Sequence, residues 1–329
     1  MLDTAFNRVV ATSLKGYSRV ITDNITTKQV ILWKLGQIGG IESRPGASSI
    51  VEPIISEVNS TVQSYAGFDP LNTTVQSGIT AAEYAWKQLA GVASISGIEK
   101  FKNSGQATQV VSLWDAVGKQ LAISMRKAVN TQLLSDGTAN AGKDITGIQL
   151  AVENGDAWST YGEIDSNANT FWRNQFVDAA DYHTATNLTN GMRTLVNSCM
   201  GGGDFPHLLV TTQTLHEAWE ATLTANEQYN RVESDMDMVR SGWQNFLFKG
   251  VPVVWDEDML PNTTGDDAQG MVALNLDYMK FVMGEGYEFT FTDPIRPDNQ
   301  DAESVQCLLY CNLVTSNRRR QGRMDIATS

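Results

Sequence analysis

The sequence predicts an α+β fold, and three patterns carry the prediction. A weak period-two alternation flanks a turn-rich stretch at 50–96, a long amphipathic helical repeat runs over 106–135, and short strands alternate with helices from 188 to 315. The 329 residues are 42% hydrophobic and 19% charged, which excludes disorder throughout and leaves room for one elaborate domain or about two ordinary ones. No apolar run reaches the roughly 18 residues of a membrane helix. The opening stretch mixes Asp3, Arg8 and Lys15 among its apolar residues, unlike a secretory signal. Cys199, Cys307 and Cys311 are an odd set in a long chain, so they are expected to be buried fillers in a reducing compartment rather than a disulfide framework.

Acidity is concentrated. Residues 201–300 hold 17 acids and 5 bases, whereas residues 1–200 hold 17 and 15, for a total charge of −13. Such a region repels phosphate and disfavours tight nucleic-acid binding through that face; a solvated outer surface is the simpler reading.

Taken in order, the first 45 or so residues are polar, carry Gly39-Gly40, end at Arg44-Pro45-Gly46, and read as an arm. Residues 50–65 set Ile54, Val58 and Val62 on one face of an extended segment, with Pro53 suited to an edge; 66–79 are turn-rich around Asp69-Pro70; 80–96 resume an extended pattern with Tyr84 and Trp86 on one face. Together they predict a long hairpin of roughly 45–50 Å that lacks a core of its own. Tyr65, Phe68, Tyr84 and Trp86 then need cover, from the rest of the chain or from a second copy. From Gln106 to about Ser135, Val110, Trp114, Val117, Leu121, Met125, Ala128, Val129 and Leu133 recur at helical spacing without proline, started by Ser104-Gly105 and stopped by Asp136-Gly137. Thirty residues would make a spine of roughly 45 Å. Beyond it, Leu188 to Cys199 and Leu215 to Leu223 read as helices. His207–Thr211, 249–255, 270–274, 278–283 and 287–292 read as strands, and 303–315 as a strand buried on both faces.

Several motifs fall short of chemistry. Gly137 to Asp144 matches the phosphate-loop spacing except at its last position, where Asp144 stands in place of the Mg²⁺-binding hydroxyl, and the segment follows a helix rather than a strand. His216-Glu217 opens like a zinc-protease helix, but Glu220 occupies the place of the second histidine. Cys307 and Cys311 would lie roughly 13 Å apart along one strand, too far to share a metal or a bond. Arg318, Arg319, Arg320 and Arg323 form a basic cluster for packaged nucleic acid or for an acidic patch on a second copy, or a free tail. No catalytic residue, metal or cofactor is expected.

With YAWKQLAGVASISGIEKFKNSG at 84–105, DGTANAGKDITGIQ at 136–149 and FWRNQF at 171–176, in this order of elements, the chain resembles over almost its full length the major capsid proteins of tailed double-stranded DNA bacteriophages. The resemblance implies the Hong Kong 97 fold: an N-terminal arm (1–45), an extended β-hairpin loop (46–96), a peripheral domain with the spine helix (97–139), a mixed α/β axial domain (140–285), and peripheral return strands with a C-terminal tail (286–329). It implies a structural protein that forms hexamers and pentamers of an icosahedral shell around the phage genome, assembled in the host cytoplasm without catalytic turnover or membrane. A portal, a scaffolding protein or an already removed scaffolding segment, a decoration protein and non-specific contacts to packaged DNA belong to the same picture. Tyr65, Phe68, Tyr84, Trp86, Lys87, Arg318, Arg319 and Arg320 are the expected contacts between subunits. Lys87 is the one lysine between 46 and 96, where family members that crosslink place theirs. The alternatives are an encapsulin-like shell around cargo and a soluble nucleotide-binding or metal-dependent enzyme.

Overall fold

A computed structural model of the chain describes residues 29–103, 113–155, 158–179, 185–225, 246–259 and 269–326. Helix α1 (Val30–Ile38) buries Val30, Ile31 and Leu35 and closes on Gly39, whose φ of 80° is the left-handed conformation glycine adopts freely. Strand β1 (Ile41–Arg44) follows and pairs in parallel with β12 (Met279–Gly284). Residues 30–44 are therefore part of the folded body, where the sequence suggested an arm: the apolar stripe of α1 is short, and the surrounding polar residues hide it. Residues 1–28 lie outside the described residues.

Strands β2 (Ile50–Ile55) and β3 (Ile79–Tyr84) form an antiparallel hairpin of six residues a side, about 20 Å, far shorter than expected. The chain breaks at Ala85-Trp86, and β4 (Lys87–Ser96) leaves the hairpin to pair over ten residues with the long strand β14 (Ala302–Thr315). The longer ladder wins because β14 offers ten partners, and because Gly91 lets the spine helix settle on it: a Cβ there would stand 2.6 Å from Leu121 Cδ1 and 2.9 Å from Met125 Sδ. Helix α2 (Gly97–Lys102) starts at a capping box in which Ser96 and Glu99 satisfy each other's backbone N–H. The spine, α3 (Leu113–Leu133), has 21 residues, about 32 Å, and buries Val117, Met125, Val129 and Leu133 as its repeat predicted. Val110 and the proposed Ser104-Gly105 start lie outside the described residues.

After α3 come a single turn at Ala139–Gly142, the short helix α4 (Ile148–Ala151), and a small hairpin of β5 (Thr160–Tyr161) and β6 (Ile164–Asp165). Gly147 enters α4 by close approach, with its Cβ position 1.9 Å from Ser135 O and 2.7 Å from Gln132 O. Both neighbours are backbone and cannot swing away, so Gly147→Ala is expected to cost on the order of 1–3 kcal/mol in the urea unfolding of the unassembled subunit.

Two larger sheets organise the rest. The first runs β1-β12-β14-β13, with β13 at Thr290–Phe291 and β4 also on β14. The second has six strands. Strand β7 (Gln175–Ala179) precedes helix α5 (Ala185–Cys199), and β8 (Leu208–Thr211) precedes α6 (Gln213–Ala225). Strands β9 (Phe246–Phe248), β10 (Val251–Trp255), β11 (Gln269–Leu274) and β15 (Gly322–Ile326) complete it in the order β7-β15-β11-β8-β10-β9. Leu188, Met192, Leu195, Val196 and Cys199 seal α5 onto this sheet through Leu209, Val253, Met271 and Met324.

Two boundaries shift accordingly. Strand β12 already belongs to the first sheet, ahead of the return expected at 286. Residues 322–326 are not a tail: β15 lies between β7 and β11, with Met324 fully buried and Arg323 paired to Asp325 at 2.7 Å. Strand β14 is buried on both faces only over 311–315, because Leu308 and Tyr310 stay half-buried.

A chain of charges ties β12, β1 and β2. Lys280 contacts Glu42 at 2.7 Å, Arg44 contacts Glu42 at 2.7 Å, and Arg44 contacts Glu52 at 2.5 Å. The hydrogen bond from Lys280, helped by Arg44, holds the Glu42 carboxyl below its ordinary value of 4.5. A lowered acid stabilises the fold above that value and loses its contribution as pH falls through the folded-state pKa. Glu42→Gln should cost about 0.2–1 kcal/mol at pH 7, as partly exposed pairs do. The difference from the unaltered chain should begin to shrink near pH 4.5 in acid unfolding scans and vanish only once the pH is below the lowered folded-state value.

Candidate assembly surface

The loop joining β2 to β3, residues 56–78, contains no strand or helix. Its base is clamped, since Ser56 N–H donates to Gly78 O at 2.9 Å. Further out it is held mainly by short-range bonds: Asn59 and Asn72 each accept from the residue two ahead, Ser60 donates to Gln76, and Asp69 accepts the Ala66 N–H at 2.9 Å to close the tip. Such bonds shape a loop but bury little.

The composition of the loop runs against that exposure. Val51, Ile55, Val58, Val62, Tyr65, Phe68, Leu71, Val75 and Ile79 are all exposed, Val58 at 93%, Val75 at 92% and Phe68 completely. Ile55 and Ile79 face each other across the ladder, so the outer face of the hairpin is apolar at its root as well. Scattered surface apolar residues need no explanation, but a continuous series on one projecting element marks a surface that another body covers. Tyr65 and Phe68 are exposed, and among the described residues nothing covers them. Val51, Ile55, Leu71, Val75 and Ile79 were not singled out, because the alternation is weak in the strands and turn residues break it in the loop; apolar content inside a segment without a core was the available signal.

Tyr84 and Trp86 correct the expectation. Tyr84 is buried: its hydroxyl donates to Thr315 O at 2.7 Å, and its ring meets Tyr161 edge-on at 5.3 Å. Tyr161 stacks near Trp172, whose indole N–H donates back to Tyr161 O at 2.8 Å. Burial pushes both tyrosine hydroxyls up, out of any physiological titration. Trp86 is half-buried against the same core. Together with the Glu83 N–H bond to Gly162 O at 3.0 Å, this anchors the root of the hairpin to β5–β6 and leaves only its outer part free.

Arg318 is corrected as well. It is fully buried, paired with Glu153 at 2.7 Å, bonded to Ala151 O, Leu150 O and Ser166 Oγ at 2.6–2.8 Å, and set 5.1 Å over the Tyr161 ring. Its neighbours diverge: Arg319 is exposed, while Arg320 lies 3.8 Å from Asp204. Three consecutive arginines in a 3-10 turn point in different directions, so their sequence adjacency does not make one basic patch. Lys87 is half-buried and its Nζ donates to Gly142 O.

The motifs set aside on sequence grounds have structural occupations. Within 137–144, Gly137, Asn140, Ala141 and Gly142 all take positive φ, and buried Asp144 accepts from Gln132 and Asn140, so the segment is a turn. His216 is buried beside Phe246, and burial pushes its pKa down. The three cysteines are free and buried; burial raises the thiols of Cys199 and Cys311 to about 12. Among the described residues no group of three or more His, Cys, Asp or Glu is placed to hold a metal, and no helix is long and apolar enough to cross a membrane.

Neither a protein-family model nor a curated protein matches the chain. Solved structures do. The chain is similar to one from the capsid asymmetric unit of cyanophage A-1(L), with a TM-score of 0.68 at 15% identity over 94% of this chain and 96% of that one. It is similar to a capsid chain of Myoviridae phage XM1, with a TM-score of 0.56 at 14% identity over 94% and 96%. It is also similar to the SrpI encapsulin of Synechococcus elongatus PCC 7942, with a TM-score of 0.56 at 11% identity over 99% and 95%.

Proposed function

We propose, starting from a chain that has the Hong Kong 97-type capsid fold, that this protein is the major coat subunit of a tailed bacteriophage. Many copies close into an icosahedral shell around the phage DNA, and the subunit acts by binding its own kind, without turnover. The observation that carries the reading is the uncovered apolar loop 56–78 on a firmly anchored root. A rigid base with a greasy, coreless projection is built for burial against a neighbour, and weak contacts of this kind add through closure of a symmetric shell. The same reading places the subunit in hexamers and pentamers of the virion capsid, assembled in the host cytoplasm. Scaffolding, portal and decoration proteins and the packaged genome are its further partners.

The encapsulin likeness supports a second reading, a shell that holds cargo protein on the same fold. Expression followed by electron microscopy and nuclease treatment tests both. The coat reading predicts hollow particles on expression with the scaffold, and nuclease-resistant DNA in particles from infected cells. Particles that copurify with a stoichiometric enzyme and never hold DNA would favour the cargo shell. A monomer under every assembly condition would refute both.

A further inference from the structure

The basic and aromatic residues around the start of β7 form a receptor that nothing above occupies. Trp158, Phe171, Arg173 and Arg319 line a cavity of about 400 Å³ together with Thr170, Asn174 and Gln175. The Arg173 guanidinium lies 5.3 Å over the Trp158 ring and is held by Ser166 O at 2.7 Å and Asn167 O at 2.8 Å, so it is fixed in place. Arg319 is exposed, and its guanidinium has no hydrogen-bond or ion-pair partner among the described residues. Among the described residues no carboxylate lines the cavity. Two cations and two aromatic walls without an acid suit an occupant that offers a ring next to a carboxylate.

This chain carries such a pair at the tip of its own loop, where Phe68 is completely exposed and Asp69 is exposed beside it. About 12 residues on each limb permit a reach of up to roughly 40 Å from the hairpin root. Because Phe68 is uncovered by its own chain, its own cavity does not receive it. We propose that the Phe68-Asp69 tip of one copy seats in the Trp158–Phe171–Arg173–Arg319 cavity of a second copy, with the ring against the aromatic walls and the carboxylate between the arginines. Tip and receptor lie at different places on one surface, so the contact is head-to-tail, and repeating it builds a ring or shell instead of stopping at a dimer. The inference rests on the shell reading and names where the loop lands.

Pro70→Cys combined with Thr170→Cys tests it while leaving the Phe68 ring and the Asp69 carboxylate in place, and the native cysteines are buried and give no background. Assembled particles of the double variant, oxidised with copper phenanthroline, should give a ladder of covalent oligomers on non-reducing denaturing gels; each single variant should give none. In that background Asp69→Arg should slow ladder formation about tenfold by setting like charges together, and adding Arg319→Asp should restore it. Particles that form normally but yield no ladder overturn this contact and leave the shell reading standing. A ladder whose rate ignores both charge changes overturns the ion pairing and points to packaged phosphate as the arginines' partner. Protein that sediments only as monomer overturns the shell reading and this contact with it.

Discussion

Arg318→Met is expected to destabilise the unassembled subunit by about 3–5 kcal/mol, the usual consequence of stranding a buried charge. The substitution leaves Glu153 buried without its cation and removes the donor to Ala151 O, Leu150 O and Ser166 Oγ. It also frees the Tyr161 ring and, through the hydroxyl network on Thr315, the Tyr84 anchor of the hairpin root. Urea unfolding followed by tryptophan fluorescence measures the loss. Arg318→Met with Glu153→Gln should recover part of it, since the stranded charge then disappears. A loss below about 1 kcal/mol in the single variant would mean that water or a counter-ion already screens the pair.

Replacing residues 57–77 by Asn-Gly should abolish assembly and leave the subunit fold intact. The ends are ready to join, because Ser56 and Gly78 already share a hydrogen bond, and Asn-Gly supplies the tight turn a hairpin of this kind takes. The deleted residues bury little within their own chain, so the urea midpoint should move by no more than about 0.5 kcal/mol in free energy. Sedimentation with the scaffold should show particles for the full chain and only small species for the shortened one. Normal particles from the shortened chain would remove the loop from the assembly mechanism.

Much of this was legible in the residue pattern. The spine repeat, the α5 stripe from Leu188 to Cys199 and the doubly buried end of β14 all appear where spacing placed them, because periodic burial is a local property. What stayed hidden depends on partners distant in sequence. Nothing local says that β4 prefers β14 to the hairpin, that β1 joins β12, or that β15 enters a sheet. The same holds for single residues. Tyr84 and Phe68 look equally in need of cover, but Tyr161 and Thr315 cover the first, and among the described residues nothing covers the second. Arg318 and Arg319 are adjacent and alike, yet one is a core ion and the other a surface cation, because only one has a buried carboxylate waiting.

Hydroxyl-radical footprinting of Tyr65 and Phe68, read by mass spectrometry on dissociated subunits and on intact particles, addresses the role of the loop most directly. Both rings are open in the lone chain, so they should oxidise rapidly there and become protected several-fold on assembly, while half-buried Trp86 changes little. Equal oxidation of Tyr65 and Phe68 in both states would show that no neighbour covers them and would contradict burial of this loop by a second copy.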